Sequence, residues 1–330
     1  MSTIPQVALV GCGYWGKNLC RNFDALGVLS TVVDATKNGQ ATACSIAPDA
    51  QITDNLDDVL RDKQIQGIAL ATPAETHTEL AIQAMQAGKD VFVEKPMALT
   101  LKDAEKMKEV AEETGQILMI GHLLEYHPAV LKLHLMIESG ELGKINYIYS
   151  NRLNFGKVRT EENALWSFAP HDVAVILRLM GQAPVQVSAC GGSFLTNGIV
   201  DTTMSNLRFE DESRAHIFVS WLHPFKEQRL VAIGDKKMAI FNDVAPHGEK
   251  LKLYPQNVEF DGAMPLLKKE DVQFVEHTNT EPLREECNYF LDCVQSRKQP
   301  LTDAQSGIDV LKVLHACQQS IEQNGMPLSL

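Results

Sequence analysis

The sequence of 330 residues lacks any run of about 18 apolar residues, so we expect no membrane-spanning helix. Its first residues, MSTIPQVALV, have neither a charged start nor a long apolar stretch, so we also expect no secretory signal peptide. The seven cysteines include no CxxC pair, and their number is odd. These absences predict reduced thiols and a cytoplasmic protein.

Positive charge is also scarce, since 30 Lys and Arg stand against 42 Asp and Glu and give a net charge of −12. This balance disfavours nucleic acid as a partner, and an anionic substrate would need a local basic site. The sequence lacks the clustered His, Cys and Asp spacing of a metal centre. We therefore predict no metal site and disfavour a metal hydrolase.

The first third of the chain alternates apolar strands with helices. A strand over 6–10 leads into GCGYWG, residues 11–16, and a helix and a second strand follow. In this setting Gly11 permits a tight turn, Gly13 lets the backbone approach a pyrophosphate, and Gly16 lets helix and strand pack closely. Helix N–H groups then face the phosphate charge. The pattern predicts a dinucleotide-binding site.

The second strand ends at Asp34, where an acid is expected to hydrogen-bond the ribose hydroxyls of the cofactor. The next residues, Ala35-Thr36-Lys37, provide no arginine for a 2′-phosphate, and a carboxylate would repel that group. The sequence therefore predicts NAD rather than NADP.

Further apolar strands are predicted over 67–71, 91–93 and 117–120, with a helix between the last two that Thr100 caps and Gly115 ends. In a doubly wound sheet, ligands bind beyond the carboxyl ends of the strands. Four polar residues follow such ends, and this shared position is the first reason to assign them a function: Thr72, Glu94, Lys95 and His122.

Three segments in this order resemble a known family: VGCGYWG, ATPAETHTELAIQAMQAGKDVFVEKPMALT and GHLLEYHPAV. The chain resembles the glucose-fructose oxidoreductase/inositol dehydrogenase/MocA family over nearly its whole length. EKP at the end of a Rossmann strand, followed by a strand that ends in Gly-His, is quite specific to that family. The fold class we expect is an α/β Rossmann domain, residues 1–121, followed by an α+β domain with a large, mainly antiparallel open sheet, residues 122–330.

The resemblance also implies roles for single residues. In the family the lysine of EKP, here Lys95, reaches the reacting hydroxyl, and its proline, here Pro96, commonly follows a cis peptide bond. His122 is a further candidate, for which a role beside the site and a packing role are both open. We assign NAD binding to Gly11, Gly13, Tyr14, Trp15, Gly16, Asp34, Thr72, Pro73, His77, Glu94 and Lys95.

The second part of the chain changes to strands separated by hairpin turns, with helices near its beginning and end. This pattern predicts an open, largely antiparallel sheet with one face covered by helices. Family members often dimerise through the exposed face of this sheet. The resemblance therefore implies a homodimer or homotetramer.

A second candidate site lies in ENALWSFAPHDVAVILRLMG, where apolar residues at helical spacing predict a helix that begins near His171. Family members usually carry D-x-G-x-H here, one helix before a glycine, and His171 precedes Gly181 at the matching interval. The resemblance identifies His171 as the catalytic histidine, with Ser167 at the position of the usual acid. Asp172 either orients the imidazole or caps the helix.

These residues suit the oxidation of a secondary alcohol, which removes a hydride from carbon and a proton from oxygen. His171 can take the proton near neutral pH, and Lys95 can stabilise the developing alkoxide. The cofactor carries the hydride while the protein supplies the geometry.

A local basic cluster, Arg152, Lys157 and Arg159, stands out in this acidic chain and leads to His171. Arginine binds phosphate with a fixed pair of donors, so a diphosphate accounts for the cluster better than an uncharged inositol does. The segment GKVRTEENALWSFAPHD also resembles the nucleotide-sugar branch of the family, the UDP-N-acetylglucosamine and UDP-N-acetylglucosaminuronate 3-dehydrogenases. We assign substrate binding to Lys95, Arg152, Asn154, Lys157, Arg159, Trp166 and His171.

The expected activity is therefore NAD-dependent oxidation of a UDP-N-acetyl sugar, at C3, to a 3-keto sugar that is later aminated for surface glycans. Whether that sugar carries a C6 alcohol or a C6 carboxylate stays open. Two other functions remain alternatives: an inositol or free-sugar dehydrogenase, and a catalytically inactive NAD-binding regulator.

Overall fold

The computed structural model describes residues 4–156 and 158–330. The chain forms two compact units, one of residues 4–126 with Glu281–Leu311 and one of His127–Thr280 with Lys312–Leu330. The predicted second domain, 122–330, thus includes a segment that the structure places in the first unit. Packing explains the difference, because the helix Pro282–Ser296 contributes Phe290 to the core of the first unit, edge-on to Phe92 at 5.9 Å between ring centroids.

A parallel sheet forms the centre of the first unit, in the order β3-β2-β1-β4-β5-β6. Its strands are β1 (Gln6–Val10), β2 (Leu29–Val33), β3 (Gln51–Thr53), β4 (Ile65–Leu70), β5 (Asp90–Glu94) and β6 (Leu118–Gly121). The helices between them are α1 (Gly16–Ala25), α2 (Lys37–Ile46), α3 (Leu56–Arg61), α4 (His77–Gln86) and α5 (Leu101–Thr114). The strand order reverses between β1 and β4, which is where doubly wound sheets bind ligands.

The helix after EKP begins and ends as predicted. The hydroxyl of Thr100 accepts a hydrogen bond from the N–H of Asp103 at 3.1 Å, and Gly115 ends the helix with a φ of 68°. A helix with both caps has a fixed starting point, which sets the length of chain between β5 and α5.

The second unit is built on a mixed, mainly antiparallel sheet, in the order β16-β13-β12-β11-β7-β10-β9-β8-β17. Only the β7–β10 pair is parallel among the described strands of this sheet. The elements that begin the unit are α6 (Pro128–Glu138), β7 (Ile145–Phe155), α7 (Ala164–Met180), β8 (Gln186–Gly192), β9 (Thr202–Arg208), β10 (Arg214–Ser220), β11 (Leu222–Gly234) and β12 (Met238–Asn242). The predicted fold class, a Rossmann domain with a second domain built on an open sheet, is confirmed.

The remaining elements include a separate two-stranded hairpin. They are β13 (Leu251–Tyr254), β14 (Asn257–Asp261), β15 (Met264–Lys268), β16 (Gln273–Phe274), α8 (Pro282–Ser296), α9 (Ala304–Glu322) and β17 (Leu328–Ser329), with β14 and β15 forming the hairpin. Within the described ranges, no helix combines the length and the apolar character that a membrane span requires.

Helix α7 packs against β7, β9 and β10 and covers one face of the large sheet. Side chains alternate between the two faces of a strand. Since Ser150 bonds to α7, Tyr149 lies on the opposite face, where it stacks on His216 at 5.2 Å between ring centroids. The sheet therefore has one helix-covered face and one face with an aromatic cluster.

Candidate active site

The glycine turn after β1 is shaped by close contacts between backbone segments. A Cβ on Gly16 would lie 2.0 Å from the carbonyl oxygen of Gly11, and a Cβ on Gly11 would lie 2.8 Å from that of Ala71. Gly11 also has a φ of 92°. In contrast, nothing among the described residues lies within 4 Å of a Cβ on Gly13. The turn thus leaves open space beside the backbone where the sequence predicts the pyrophosphate.

Asp34 lies directly after β2 with both carboxylate oxygens engaged. Oδ2 accepts a hydrogen bond from the N–H of Cys12 at 2.7 Å, and Oδ1 accepts from the N–H and the hydroxyl of Thr36, each at 2.8 Å. Burial opposes the charge, but these donors outweigh it and lower the pKa of Asp34. The carboxylate is therefore a fixed anion that joins the glycine turn to the segment after β2.

Gly39, in the first turn of α2, allows Asp34 to occupy this position. A Cβ at residue 39 would lie 2.1 Å from the carboxyl carbon and from Oδ2 of Asp34. The same turn is capped by Thr36, whose hydroxyl accepts from the N–H of Gly39 at 3.0 Å. The sequence analysis missed this role, although a threonine three residues before a glycine in a helix start was a visible capping signal.

Glu94 links the end of β5 to the glycine turn. Nε1 of Trp15 donates a hydrogen bond to Oε1 of Glu94, and the N–H of Lys95 lies 3.3 Å from Oε2. Burial raises the pKa of Glu94 to about 7, although the bond from Trp15 and the charge of Lys95 act in the opposite direction. The glutamate of EKP thus accepts a hydrogen bond from Trp15 while burial disfavours its charged form.

Lys95 follows directly after β5 and is half-buried. The bond between Lys95 and Pro96 is cis, as the resemblance implied. Lys95 therefore stands at the carboxyl edge of the parallel sheet, next to the strand order reversal at β1 and β4.

The segment after β4 lies against the glycine turn. The side-chain methyl of Thr72 would be 3.1 Å from a Cβ on Gly11, and the hydroxyl of Thr76 lies 2.7 Å from the hydroxyl of Thr72. Pro73 is exposed, whereas His77 is buried with both ring nitrogens next to main-chain carbonyls. Thr72 thus lies beside the glycine turn, and the cofactor contacts of Thr72 and Pro73 stay a prediction.

The remaining residues predicted for this unit differ in exposure. Tyr14 is 76% exposed, and the ammonium of Lys17 lies 5.5 Å from its ring centroid. His122 follows β6 and is buried, and its main-chain N–H donates a hydrogen bond to the carbonyl of Ile120 at 2.8 Å. Tyr14 is accessible to a ligand, whereas the position of His122 fits the packing role that the sequence left open.

Glu286 on α8 is a buried acid that the sequence analysis did not single out. It is fully buried, and neither carboxyl oxygen has a hydrogen-bond partner among residues 4–156 and 158–330. Burial, and then the charges of Glu94 and Glu125, raise its pKa well above the usual range. Its spacing from Leu283 and Phe290 puts it on the apolar face of α8, which was the available signal.

In the second unit, the helix that carries His171 begins earlier than predicted. Helix α7 starts at Ala164, and the side chain of Asn163 caps it by accepting from the N–H of Trp166 at 3.1 Å. His171 therefore lies inside the helix, one turn after Ser167 and on the same face. The prediction that His171 stands at a helix start, and that Asp172 could cap it, is wrong.

Asp172 instead joins α7 to the sheet. Its Oδ2 accepts from Nε of Arg152 at 2.6 Å, and its Oδ1 accepts from Nη2 of Arg152 at 3.2 Å and from the hydroxyl of Ser150 at 2.5 Å. The two charged side chains are 12% and 4% exposed. These contacts of Asp172 are with residues of β7, and an orienting role toward His171 stays a prediction.

The predicted basic cluster is divided in the structure. Arg152 points toward α7 and pairs with Asp172, whereas Arg159 lies on the connection to α7 and pairs with Glu162 at 3.0 Å. Lys157 lies outside the described residues. Arg159, with 29% of its side chain exposed, is the more accessible of the two described arginines.

The other predicted substrate residues lie near the ends of the same connection. Asn154 is half-buried near the end of β7, and Trp166 lies in the first turn of α7. The Trp166 ring packs edge-on against His315 at 5.0 Å between centroids. Both residues belong to the second unit, as do His171 and Arg159.

Three relatives illustrate what the chain is similar to. It is 29% identical over 262 residues to 2,7-anhydro-N-acetylneuraminate hydratase of Mediterraneibacter gnavus, covering 74% of this chain and 69% of the relative. It is 27% identical over 285 residues to scyllo-inositol 2-dehydrogenase (NAD(+)) of Bacillus subtilis, covering 83% and 80%. The UDP-N-acetylglucosamine 3-dehydrogenase of Acidithiobacillus ferrooxidans is 28% identical over 193 residues, covering 58% and 59%.

The solved structure of that last enzyme has the same fold. It matches with a TM-score of 0.83 over 96% of this chain and 97% of its own, at 22% identity. This likeness concerns the fold and carries no substrate with it.

Two family models cover most of the chain. The model described as oxidoreductase family, NAD-binding Rossmann fold, matches residues 6–122, and the GFO/IDH/MocA C-terminal domain matches residues 130–240. The first match contains the glycine turn, Asp34 and EKP, and the second contains β7 and α7. The chain is therefore a member of the glucose-fructose oxidoreductase/inositol dehydrogenase/MocA family of oxidoreductases and carries its NAD-binding Rossmann fold.

Proposed function

We propose that this oxidoreductase uses NAD⁺ to oxidise a secondary hydroxyl, at C3, of a UDP-N-acetyl sugar such as UDP-N-acetylglucosamine or its uronic acid. The product is a 3-keto sugar, a substrate for amination in surface glycan synthesis. The observation that carries the oxidoreductase chemistry is Lys95, half-buried at the carboxyl edge of the NAD-binding sheet. The observation that supports a nucleotide-sugar substrate is the position of Arg159. It lies on the connection between β7 and α7, the helix that contains His171.

The residues of the first unit fit NAD. The glycine turn offers open space for the pyrophosphate, and the fixed carboxylate of Asp34 suits ribose hydroxyls but repels a 2′-phosphate. Thr72 and Trp15 border the same turn, and Glu94 holds Trp15 there. Bound NAD⁺ would supply the acceptor for the hydride that leaves the carbinol carbon.

The roles of the protein follow from the charge that develops on the substrate oxygen. His171 accepts the hydroxyl proton, and Lys95 stabilises the negative charge as the carbonyl forms. The products are NADH, the ketone and a proton held by His171. Ser167, one turn before His171, replaces the usual acid with a neutral hydroxyl, so we propose no carboxylate partner for His171 at that position.

The phosphate contact is best assigned to Arg159. Arg152 is engaged by Asp172 in the interior, so releasing it to a substrate would leave a buried carboxylate without its partner. Arg159 instead pairs with Glu162 on an accessible connection, where a diphosphate can compete for the guanidinium. Lys157, Asn154 and Trp166 remain proposed neighbours of the same ligand.

An inositol or free-sugar dehydrogenase is the competing function, and the Bacillus subtilis scyllo-inositol 2-dehydrogenase supports it with the longer matched length. A catalytically inactive NAD-binding regulator is the alternative of another class.

We propose further that the protein acts in the cytoplasm as a homo-oligomer that associates through the aromatic face of its large sheet. All seven cysteines are free, which suits that compartment.

Steady-state formation of NADH with UDP-N-acetylglucosamine, its uronic acid and myo-inositol distinguishes these functions. We expect turnover with a UDP-sugar, and a KM that rises roughly 10- to 100-fold in Arg159→Ala because a charge-assisted hydrogen bond is lost. Arg214→Ala is the matched control, since Arg214 is an exposed arginine of the same unit paired with Glu212.

Salt provides a second readout, because rising ionic strength should weaken UDP-sugar binding in the parent more than in Arg159→Ala. Turnover with myo-inositol but with no UDP-sugar would remove the nucleotide-sugar proposal. Turnover with none of the three would favour the regulator.

A further inference from the structure

We propose that His77 is a positioning residue that holds the Lys95–Pro96 segment in place by linking the chain after β4 to the chain after β5. The inference deepens the proposed function, because it rests on Lys95 as the group that acts on the substrate oxygen. The contacts from which it is argued all lie within the first unit.

His77 connects two backbone segments through its ring. Nδ1 lies 2.9 Å from the carbonyl oxygen of Pro96, and Nε2 lies 3.0 Å from the carbonyl oxygen of Thr72. Thr72 borders the glycine turn, and Pro96 is bonded directly to Lys95. One imidazole therefore sets the spacing between the turn that receives the cofactor and the residue proposed to act on the substrate.

The burial of His77 argues against a direct contact with the cofactor. The residue is 1% exposed, and both nitrogens are already next to protein oxygens. The sequence analysis placed His77 among the NAD-binding residues, and the geometry points to an indirect role instead. A side chain without free donors or exposed surface acts on a ligand through the groups that it holds.

Both partners of the ring are carbonyl oxygens, which only accept hydrogen bonds. A neutral imidazole has one N–H and donates to one of them at a time, whereas the imidazolium donates to both. Burial lowers the pKa of His77, while the carbonyls of Pro96 and Thr72 act in the opposite direction. Even the neutral ring fills the space between the two segments and supplies one donor.

Burial changes along the chain that follows the half-buried Lys95–Pro96 segment. Met97 and Ala98 are buried, whereas Leu99 and Thr100 are exposed and lead to α5. Loss of the ring would leave the carbonyl of Pro96 without this donor and open space beside it. A displacement of about 1 Å at Lys95 is enough to lower turnover on the order of 10²-fold.

Two conservative variants separate the two links. Asparagine can place its amide N–H near the position of Nδ1, so His77→Asn keeps a donor toward Pro96. Glutamine can place its amide near Nε2, so His77→Gln keeps a donor toward Thr72. If the Pro96 link positions Lys95, His77→Asn should retain more kcat than His77→Gln, and His77→Ala should retain least.

Arg297→Gln is a matched control for stability. Arg297 bonds to Asp90 at 2.5 Å and to the carbonyl of Gly115 at 2.8 Å, at the opposite end of β5 from Glu94. Its loss should destabilise the same strand without moving the Lys95–Pro96 segment. A fall in kcat that merely followed loss of stability would appear in this variant as well.

Hydrogen exchange tests the inference independently of catalysis. In His77→Ala without cofactor, we expect the amides of Lys95, Met97 and Ala98 to exchange at least about tenfold faster, with no such change in Arg297→Gln. Unchanged protection of these amides would overturn the positioning role, whether or not the parent turns over any UDP-sugar.

Kinetics then tests the route through Lys95. We expect His77→Ala to lower kcat at least about tenfold, and the double variant with Lys95→Ala to be no slower than Lys95→Ala alone. If the losses of kcat in His77→Ala and Lys95→Ala add in the double variant, His77 does not act through Lys95. Equal kcat in His77→Asn, His77→Gln and the parent would refute the same role. Absence of turnover in the parent would refute the proposed function while the exchange result still decides the role of His77.

Discussion

Arg152 and Asp172 form a buried ion pair, with Nε of Arg152 2.6 Å from Oδ2 of Asp172, and this pair ties strand β7 to helix α7. We expect Arg152→Ala to lower the free energy of unfolding by about 3–5 kcal/mol, because it leaves the Asp172 carboxylate buried without its partner. Urea denaturation measures the change. Arg159→Ala, which breaks a more exposed pair, should cost less than about 1 kcal/mol.

The same measurement also decides whether Arg152 stabilises the fold or binds the substrate. If Arg152→Ala unfolds like the parent and instead raises the KM for a UDP-sugar, Arg152 is a substrate ligand, as the basic cluster in the sequence suggested.

Cofactor preference should follow from Asp34. Its carboxylate stays charged and fixed, so a 2′-phosphate beside it should cost more than ~1.4 kcal/mol, and NAD(H) should bind at least about tenfold tighter than NADP(H). Fluorescence titration of both cofactors measures this ratio, and Asp34→Ala should reduce it. Equal or tighter binding of NADP(H) by the parent would refute the assignment.

Lys95→Ala and His171→Ala should each lower kcat on the order of 10²-fold or more, because we propose that both act on the substrate oxygen rather than on the dinucleotide. NAD affinity should stay near that of the parent in both. His134→Ala is the matched control, since His134 is a half-buried histidine of the same unit that pairs with Glu138 on α6. Near-native turnover in both active-site variants would place the chemistry elsewhere.

The pKa of Glu94 predicts a pH dependence of stability. Burial raises it from 4.5 to about 7, so the folded state holds the proton more tightly than the unfolded state does. The free energy of unfolding should therefore fall as the pH rises from about 4.5 to about 7. Glu94→Gln keeps an oxygen for Trp15 but cannot titrate, so the parent should lose about 3 kcal/mol relative to it across this window.

Chemical denaturation of both proteins at several pH values checks the difference. Parallel stability curves for the parent and Glu94→Gln would show that Glu94 keeps an ordinary pKa.

The helix after EKP was predictable because its signals are local. The helix over 101–114 could be placed from Thr100 and Gly115, since a cap and a left-handed glycine act within one turn. The start of α7 also carried a local signal, because Asn163 caps it and the helix begins at Ala164. Pro170 lies inside that helix, although proline commonly marks a first turn, and this position pointed away from the true start.

The candidate site shows the same limit. A run of basic residues does not reveal which one turns inward, because that depends on strand alternation and on a carboxylate twenty residues away, as Arg152 and Asp172 show. The bonds of His77 to Pro96 and of Trp15 to Glu94 likewise join segments 19 and 79 residues apart. Sequence motifs identified several candidate site residues, but only the fold showed which residues they bond to.

The contact between Gly39 and Asp34 constrains how cofactor choice could change. Any side chain at residue 39 would have to displace that carboxylate, which would weaken its hydrogen bonds to Cys12 and Thr36. Once Asp34 is replaced by a smaller residue, the same space becomes available to a side chain that could contact a 2′-phosphate. A change from NAD to NADP therefore meets less steric resistance when position 34 is substituted before position 39.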